Sequence, residues 1–130
     1  MDVFEKKYSG RVLLVDDSKT NRIVGGKYLE KLGLQVDLAE GCDEAISACE
    51  HNRYHIIFMD IYMPDTDGIA TAKIIRSRLL SYCPIIALTG HGAEALADDL
   101  LQSKMNGVIE KPVTPQKLIL ELDKYLRKVS

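Results

Sequence analysis

Four short apolar runs end on, or just before, a residue able to bind a charged group. Asp16-Asp17 follow VLLV, Asp60 follows IIFM, Thr89 follows IIAL, and Lys111 stands close behind GVI. Singly these are weak signals. An adjacent acid pair is more often a solvated turn or a helix cap than a metal site, and a lone lysine or threonine after a strand says almost nothing. If the runs are parallel strands of one sheet, however, their C-terminal ends share one edge. Three carboxylates crowded there repel one another unless something compensates them. The Lys111 ammonium leaves Asp16, Asp17 and Asp60 with a charge of about −2, which one divalent cation neutralises. The set is all oxygen, without His or Cys, so Mg²⁺ (magnesium) is favoured over Zn²⁺. A carboxylate, a hard cation with open positions, an ammonium and a hydroxyl together suit transfer of a phosphoryl group onto the carboxylate. In that chemistry Asp60 is the nucleophile, with Thr89 and Lys111 meeting the phosphoryl oxygens.

The elements needed to bring these residues together are legible. Apolar runs at Val12–Val15, Leu34–Ala39, Ile56–Met59, Ile85–Leu88 and Gly107–Ile109 alternate with helical patterns at Thr20–Leu32, Asp43–Asn52, Asp67–Leu79, Glu94–Ser103 and Pro115–Lys128. Continuous β-branched runs between amphipathic helices imply an α/β fold, a parallel sheet buried on both faces. Gly33 is placed to stop the first helix, and Thr114-Pro115 to cap and open the last. Gly25-Gly26 inside the first helix read as close packing on the sheet. With 130 residues, 46% of them apolar, the chain fits one domain with a proper core. The expected body runs over residues 11–128, with residues 1–10 as a loose lead and 129–130 as a tail. A net charge of −2 offers no nucleic-acid surface, and no apolar run approaches the roughly 20 residues that span a bilayer. Cys42, Cys49 and Cys83 lack paired spacing and read as reduced thiols of a cytoplasmic protein.

The stretches VLLVDDS, FMDIYMPDTDG and ALTG, with the pair Lys111-Pro112, resemble the receiver domains of two-component response regulators over essentially the whole chain. The resemblance implies a doubly wound (βα)5 fold, flavodoxin-like, with strand order 2-1-3-4-5. It implies Asp60 as phosphoacceptor and Asp16, Asp17, Asp60 and the backbone carbonyl of Tyr62 as Mg²⁺ ligands. Thr89 and Lys111 would contact the phosphoryl group, and the Lys111–Pro112 peptide would be cis. Such a domain is a signalling switch and no free-standing enzyme, although it assists its own phosphorylation and dephosphorylation. Its donor is a histidine kinase or a histidine phosphotransfer protein, docking on helix one and the loop after strand five. The domain itself is expected to be a monomer without nucleic-acid or direct membrane contact. The lead YSGRVLLVDDSKTNR is closer in style to receivers of hybrid sensor kinases than to stand-alone chemotaxis types.

Several positions depart from the family pattern or compete with this reading. Val108 stands where the family usually has Tyr or Phe, so an aromatic rotamer cannot report phosphorylation there. Lys104 occupies a place where helix four commonly ends on glycine, which requires positive φ at Lys104 or Asn106 to keep that cap. His51 and His55 read as solvated, whereas His91, two residues after Thr89, sits where family members tune hydrolysis of the acyl phosphate. An alternative class, a phosphatase with an Asp nucleophile, wants a second Asp two residues on, where this chain has Tyr62. A flavin-binding reading fails on Asp16-Asp17, which would repel a phosphate after strand one. Within helix one, Leu29 and Leu32 form one apolar pair and Val24 and Tyr28 another. One pair should face the sheet and the other should lie exposed near Asp16-Asp17, rimmed by Asn21 and Arg22.

Overall fold

The computed structural model describes residues 3–5, 7–63, 66–78, 83–90 and 103–126. Five parallel strands form the sheet: β1 (Arg11–Val15), β2 (Gln35–Ala39), β3 (Ile56–Asp60), β4 (Ile85–Thr89) and β5 (Gly107–Glu110). Their order is β2-β1-β3-β4-β5, the expected 2-1-3-4-5. Helices α1 (Lys19–Lys31), α2 (Cys42–His51), α3 (Gly68–Arg78) and α4 (Pro115–Tyr125) cover both faces. A two-stranded antiparallel ribbon, Tyr62–Met63 with Thr66–Asp67, joins β3 to α3. The helical pattern at Glu94–Ser103 falls almost wholly outside the described residues, as does His91.

Alternation along the strands splits the core in two. Leu13, Val15, Ile57, Met59, Ile85 and Ala87 face α2 and α3, while Val12, Leu14, Ile56, Phe58, Ile86 and Leu88 face α1 and α4. β3 and β4 are buried at every residue, as a central strand must be. β2 departs from the expectation of burial on both faces. It is an edge strand, and Leu38 is 46% exposed there.

The caps follow the sequence chemistry. Ser18 Oγ accepts from the Asn21 N–H at the start of α1, and Thr114 Oγ1 accepts from the Lys117 N–H at the start of α4. Gly33 ends α1 at φ +100°, a conformation that favours glycine, and a Cβ there would also strike the Tyr8 carbonyl. Lys104 bears the positive φ, +59°, that the missing glycine demanded. The close-packing reading of the helix-one glycines holds most strongly at Gly25, where a Cβ would lie 2.9 Å from Leu14 Cδ2.

The lead is not loose throughout. Tyr8 is 2% exposed and belongs to the core beneath α1 and α4, with its backbone N–H bonded to the Leu32 carbonyl at 2.8 Å. At the far end of the sheet Arg76 of α3 donates to the carbonyls of Cys83 and Lys104 and to Asn106 Oδ1. Asn106 in turn exchanges hydrogen bonds with the backbone of Ile85. The N-terminal ends of β4 and β5 are thereby stitched to α3.

Candidate functional site

Parallel register carries the polar residues to one edge. Val15 pairs with Met59, Asp60 with Leu88, and Thr89 with Glu110, so Asp16, Asp60, Thr89 and Lys111 emerge at neighbouring strand ends. Asp60 is 1% exposed and Asp16 3%, whereas Asp17 faces solvent. One carboxylate oxygen of each of Asp16, Asp17 and Asp60 lies within 4.8 Å of the others. The Lys111 ammonium reaches between the two buried acids, 3.1 Å from Asp60 Oδ2 and 3.4 Å from Asp16 Oδ2. Burial disfavours that ammonium. The hydrogen bond to Asp60 and the charges of Asp16 and Asp60 more than offset the burial, and the lysine pKa is raised above its ordinary value.

The neighbouring backbone fixes these groups. The Ser18 N–H donates to Asp16 Oδ1 at 2.9 Å, and Arg22 Nη1 donates to the Asp16 carbonyl at 2.7 Å. Arg22 was expected at the polar rim of the helix-one surface. Its guanidinium instead turns inward, with Glu40 3.7 Å away. The Lys111 N–H bonds to the Thr89 carbonyl at 2.7 Å, which ties β5 to β4 beneath the site. The Lys111–Pro112 peptide is cis, as the resemblance implied. Lys117 Nζ then donates to the carbonyls of Glu110 and Pro112, at 2.8 and 3.0 Å, and holds the loop after β5. Gly68 opens α3 directly against the backbone of Asp60 and Ile61, and its missing Cβ would overlap the Asp60 carbonyl. That contact explains the glycine closing FMDIYMPDTDG. The contacts that Arg22 and Lys117 make here escaped the sequence because both go to backbone carbonyls, which no motif displays.

The donor set fits a hard divalent cation. Three carboxylates converge, and Lys111 supplies one positive charge against the two that are buried. Tyr62, two residues beyond Asp60, opens the short ribbon beside this cluster. Beside the acids, a cavity of about 530 Å³ runs down between α1 and α4. Its walls include Val24, Gly25, Tyr28, Pro112, Val113 and Leu118, with Asp16, Asn21 and Lys111 also lining it. Leu29 and Leu32 are fully buried, whereas Val24 is 41% exposed and Tyr28 half-buried. Helix one therefore splits its two apolar pairs as its periodicity required.

Comparison with known proteins agrees with this geometry. The family model for the response regulator receiver domain matches residues 12–123. The transcriptional regulatory protein ResD of Bacillus subtilis is 35% identical over 120 residues, covering 92% of this chain and 49% of ResD. The chain thus spans about half the length of that relative, and only 10% of a histidine kinase that it also matches. Among solved structures, the chemotaxis protein CheY4 of Vibrio cholerae superposes with a TM-score of 0.86 at 27% identity, covering 91% of this chain and 99% of CheY4. A chain in the co-crystal structure of the Saccharomyces cerevisiae phosphotransfer protein Ypd1 with the receiver domain of Ssk1 gives 0.85 at 27% identity, covering 92% and 90%. By sequence, strand order and the match over nearly its whole length, this chain belongs to the response regulator receiver domain family.

Proposed function

We propose that the chain accepts a phosphoryl group on Asp60 from a phosphohistidine of a histidine kinase or histidine phosphotransfer protein. The observation carrying this reading is the buried Asp60 carboxylate, 3.1 Å from the Lys111 ammonium and within 4.8 Å of Asp16 and Asp17. A carboxylate oxygen of Asp60 attacks phosphorus, the N–P bond of the donor breaks, and the departing imidazole takes up a proton. Lys111, released from its ion pair, and the buried Thr89 hydroxyl then receive the phosphoryl oxygens. Asp16, Asp17, Asp60 and the Tyr62 carbonyl would hold Mg²⁺, which supplies positive charge against the transferring group. Inward movement of Thr89 relays the new charge to the surface, without help from an aromatic at Val108. The domain assists its own phosphorylation and hydrolysis but depends on its partner for the phosphoryl group. Among the described residues no helix is long and apolar enough to cross a membrane.

The donor docks on α1 and the loop after β5. The exposed face of Val24 and Tyr28, the cavity beside it, and Pro112 and Val113 form an apolar surface directly beside Asp16 and Lys111. The co-crystal of Ypd1 with the Ssk1 receiver supports a partner of this class. Mass spectrometry after treatment with acetyl phosphate and Mg²⁺ tests the acceptor. One base-labile phosphoryl group should appear on Asp60 and vanish in Asp60→Asn, and undiminished labelling of that variant overturns the assignment. For the dock, Val24→Asp should lower the ratio of protein-donor to acetyl phosphate labelling rates by about tenfold or more. An unchanged ratio places the dock elsewhere.

A further inference from the structure

The N-terminal lead packs Phe4 against the α1/α4 side of the core, next to Tyr28. Phe4, in a short 3-10 turn (Val3–Glu5), stacks on Tyr28 with ring centroids 6.3 Å apart and planes 30° from parallel. Tyr28 lines the α1/α4 cavity from the helix, above the buried Phe58 of β3. The lead that carries Phe4 is anchored on both sides of that cavity. On the α1 side, Lys7 Nζ donates to the Lys31 carbonyl at 3.1 Å and the Tyr8 N–H to the Leu32 carbonyl at 2.8 Å. On the α4 side, the Tyr8 hydroxyl donates to Asp123 Oδ1. Lys31 Nζ lies 5.1 Å from the centre of the Phe4 ring, a cation–π contact that holds the ring over α1.

We propose that Phe4 is a positioning residue for partner recognition. It props the Tyr28 ring as the outer wall of the cavity, which receives a large apolar side chain from the helix bearing the donor phosphohistidine. This rests on the docking surface argued above and names both its pocket and the element that shapes it. The occupant follows from the lining. Val24, Tyr28, Pro112, Val113 and Leu118 offer apolar contact, and about 530 Å³ accommodates a Leu, Met or Phe side chain. Asp16 and Lys111 line the same cavity, so a residue seated there brings its own helix beside the phosphoacceptor. A half-buried tyrosine otherwise exchanges rotamers, and each departure leaves the pocket without that wall. Stacking on an anchored neighbour removes this freedom before the partner arrives.

The test compares wild type, Phe4→Ala, Phe4→Tyr and Tyr54→Phe, each charged by phosphorylated Ypd1 and, separately, by acetyl phosphate. Phe4→Ala should lower the ratio of Ypd1 to acetyl phosphate labelling by about two- to tenfold, the worth of one aromatic stack, and should do so through KM. Phe4→Tyr should restore the ratio. Tyr54→Phe, which loses the bond to Asp37 on the other face of the sheet, should lower the melting temperature and leave the ratio alone. In parallel, NMR contacts between the Phe4 and Tyr28 rings should be present in wild type, and the Tyr28 ring should become mobile in Phe4→Ala. Equal ratios for wild type and Phe4→Ala, or a Tyr28 ring equally ordered in both, overturn the proposal. A wild type that takes nothing from Ypd1 while accepting acetyl phosphate counts against the partner class, and the NMR comparison then still decides whether Phe4 props Tyr28.

Discussion

Asp16 and Asp60 share the ammonium of Lys111, and Asp17 adds a third carboxylate from the solvent side. In the metal-free protein this cluster opposes folding, because the unfolded chain separates the charges. Mg²⁺ binding to the folded state alone should raise the melting temperature as its concentration rises. Asp17→Asn should weaken that response, yet the metal-free variant should melt above the metal-free wild type. Loss of a carboxylate just before the N-terminus of α1 costs some helix-dipole energy, but that effect is screened in solvent, whereas the repulsion acts within 4.8 Å. Thermal melts with and without Mg²⁺ decide, and a lower metal-free melting point for Asp17→Asn contradicts the electrostatic reading. The acids, Thr89 and Lys111 were legible because each sits one or two positions past an apolar run, where a parallel sheet must gather them. Arg22 was legible only as a polar residue at the rim of the helix-one pair. Its work on the Asp16 carbonyl depends on how α1 lies against β1, which periodicity leaves open.

At the scale of elements, glycines that look alike in the sequence separate by what stands opposite them. A Cβ on Gly68 meets the backbone of Asp60 and Ile61, which cannot swing aside. Gly68→Ala should therefore destabilise the protein by about 1–3 kcal/mol and displace the phosphoacceptor. A Cβ on Gly26 meets the end of Leu38 at 3.3 Å, a side chain nearly half exposed on the edge strand, and touches Val36 Cγ1 at 4.0 Å. Gly26→Ala should stabilise by up to about 1 kcal/mol, the helix propensity regained. Denaturant titrations of the two variants should move in opposite directions, and shifts of the same sign refute the contrast. The fold was readable from the alternation of apolar runs and amphipathic patterns. The edge position of β2 came with the strand order that the resemblance implied, but its exposure was not readable from the run itself, because Val36 and Leu38 look like interior residues.

For the whole molecule, three protonated groups link stability to alkaline pH. Burial, reinforced by the carboxylates of Asp123 and Asp37, raises the phenol pKa values of Tyr8 and Tyr54 far above normal. Burial also pushes the Cys49 thiol from 9.0 up to about 12. Each group keeps its proton longer folded than unfolded, so the unfolded chain binds fewer protons once the pH exceeds about 9. Stability should be fully present below that pH and decline steadily above it. Urea midpoints that stay flat from pH 8 to 11 would show that these groups titrate alike in both states. The bonds of Arg76 to Cys83, Lys104 and Asn106 have a mechanical meaning for the same body. They clamp the sheet at the end remote from Asp60, as a reed is clamped at its base. A push applied at the free tip is felt most at the tip and fades toward the clamp, so the base of the strands should move least when Asp60 gains a charge.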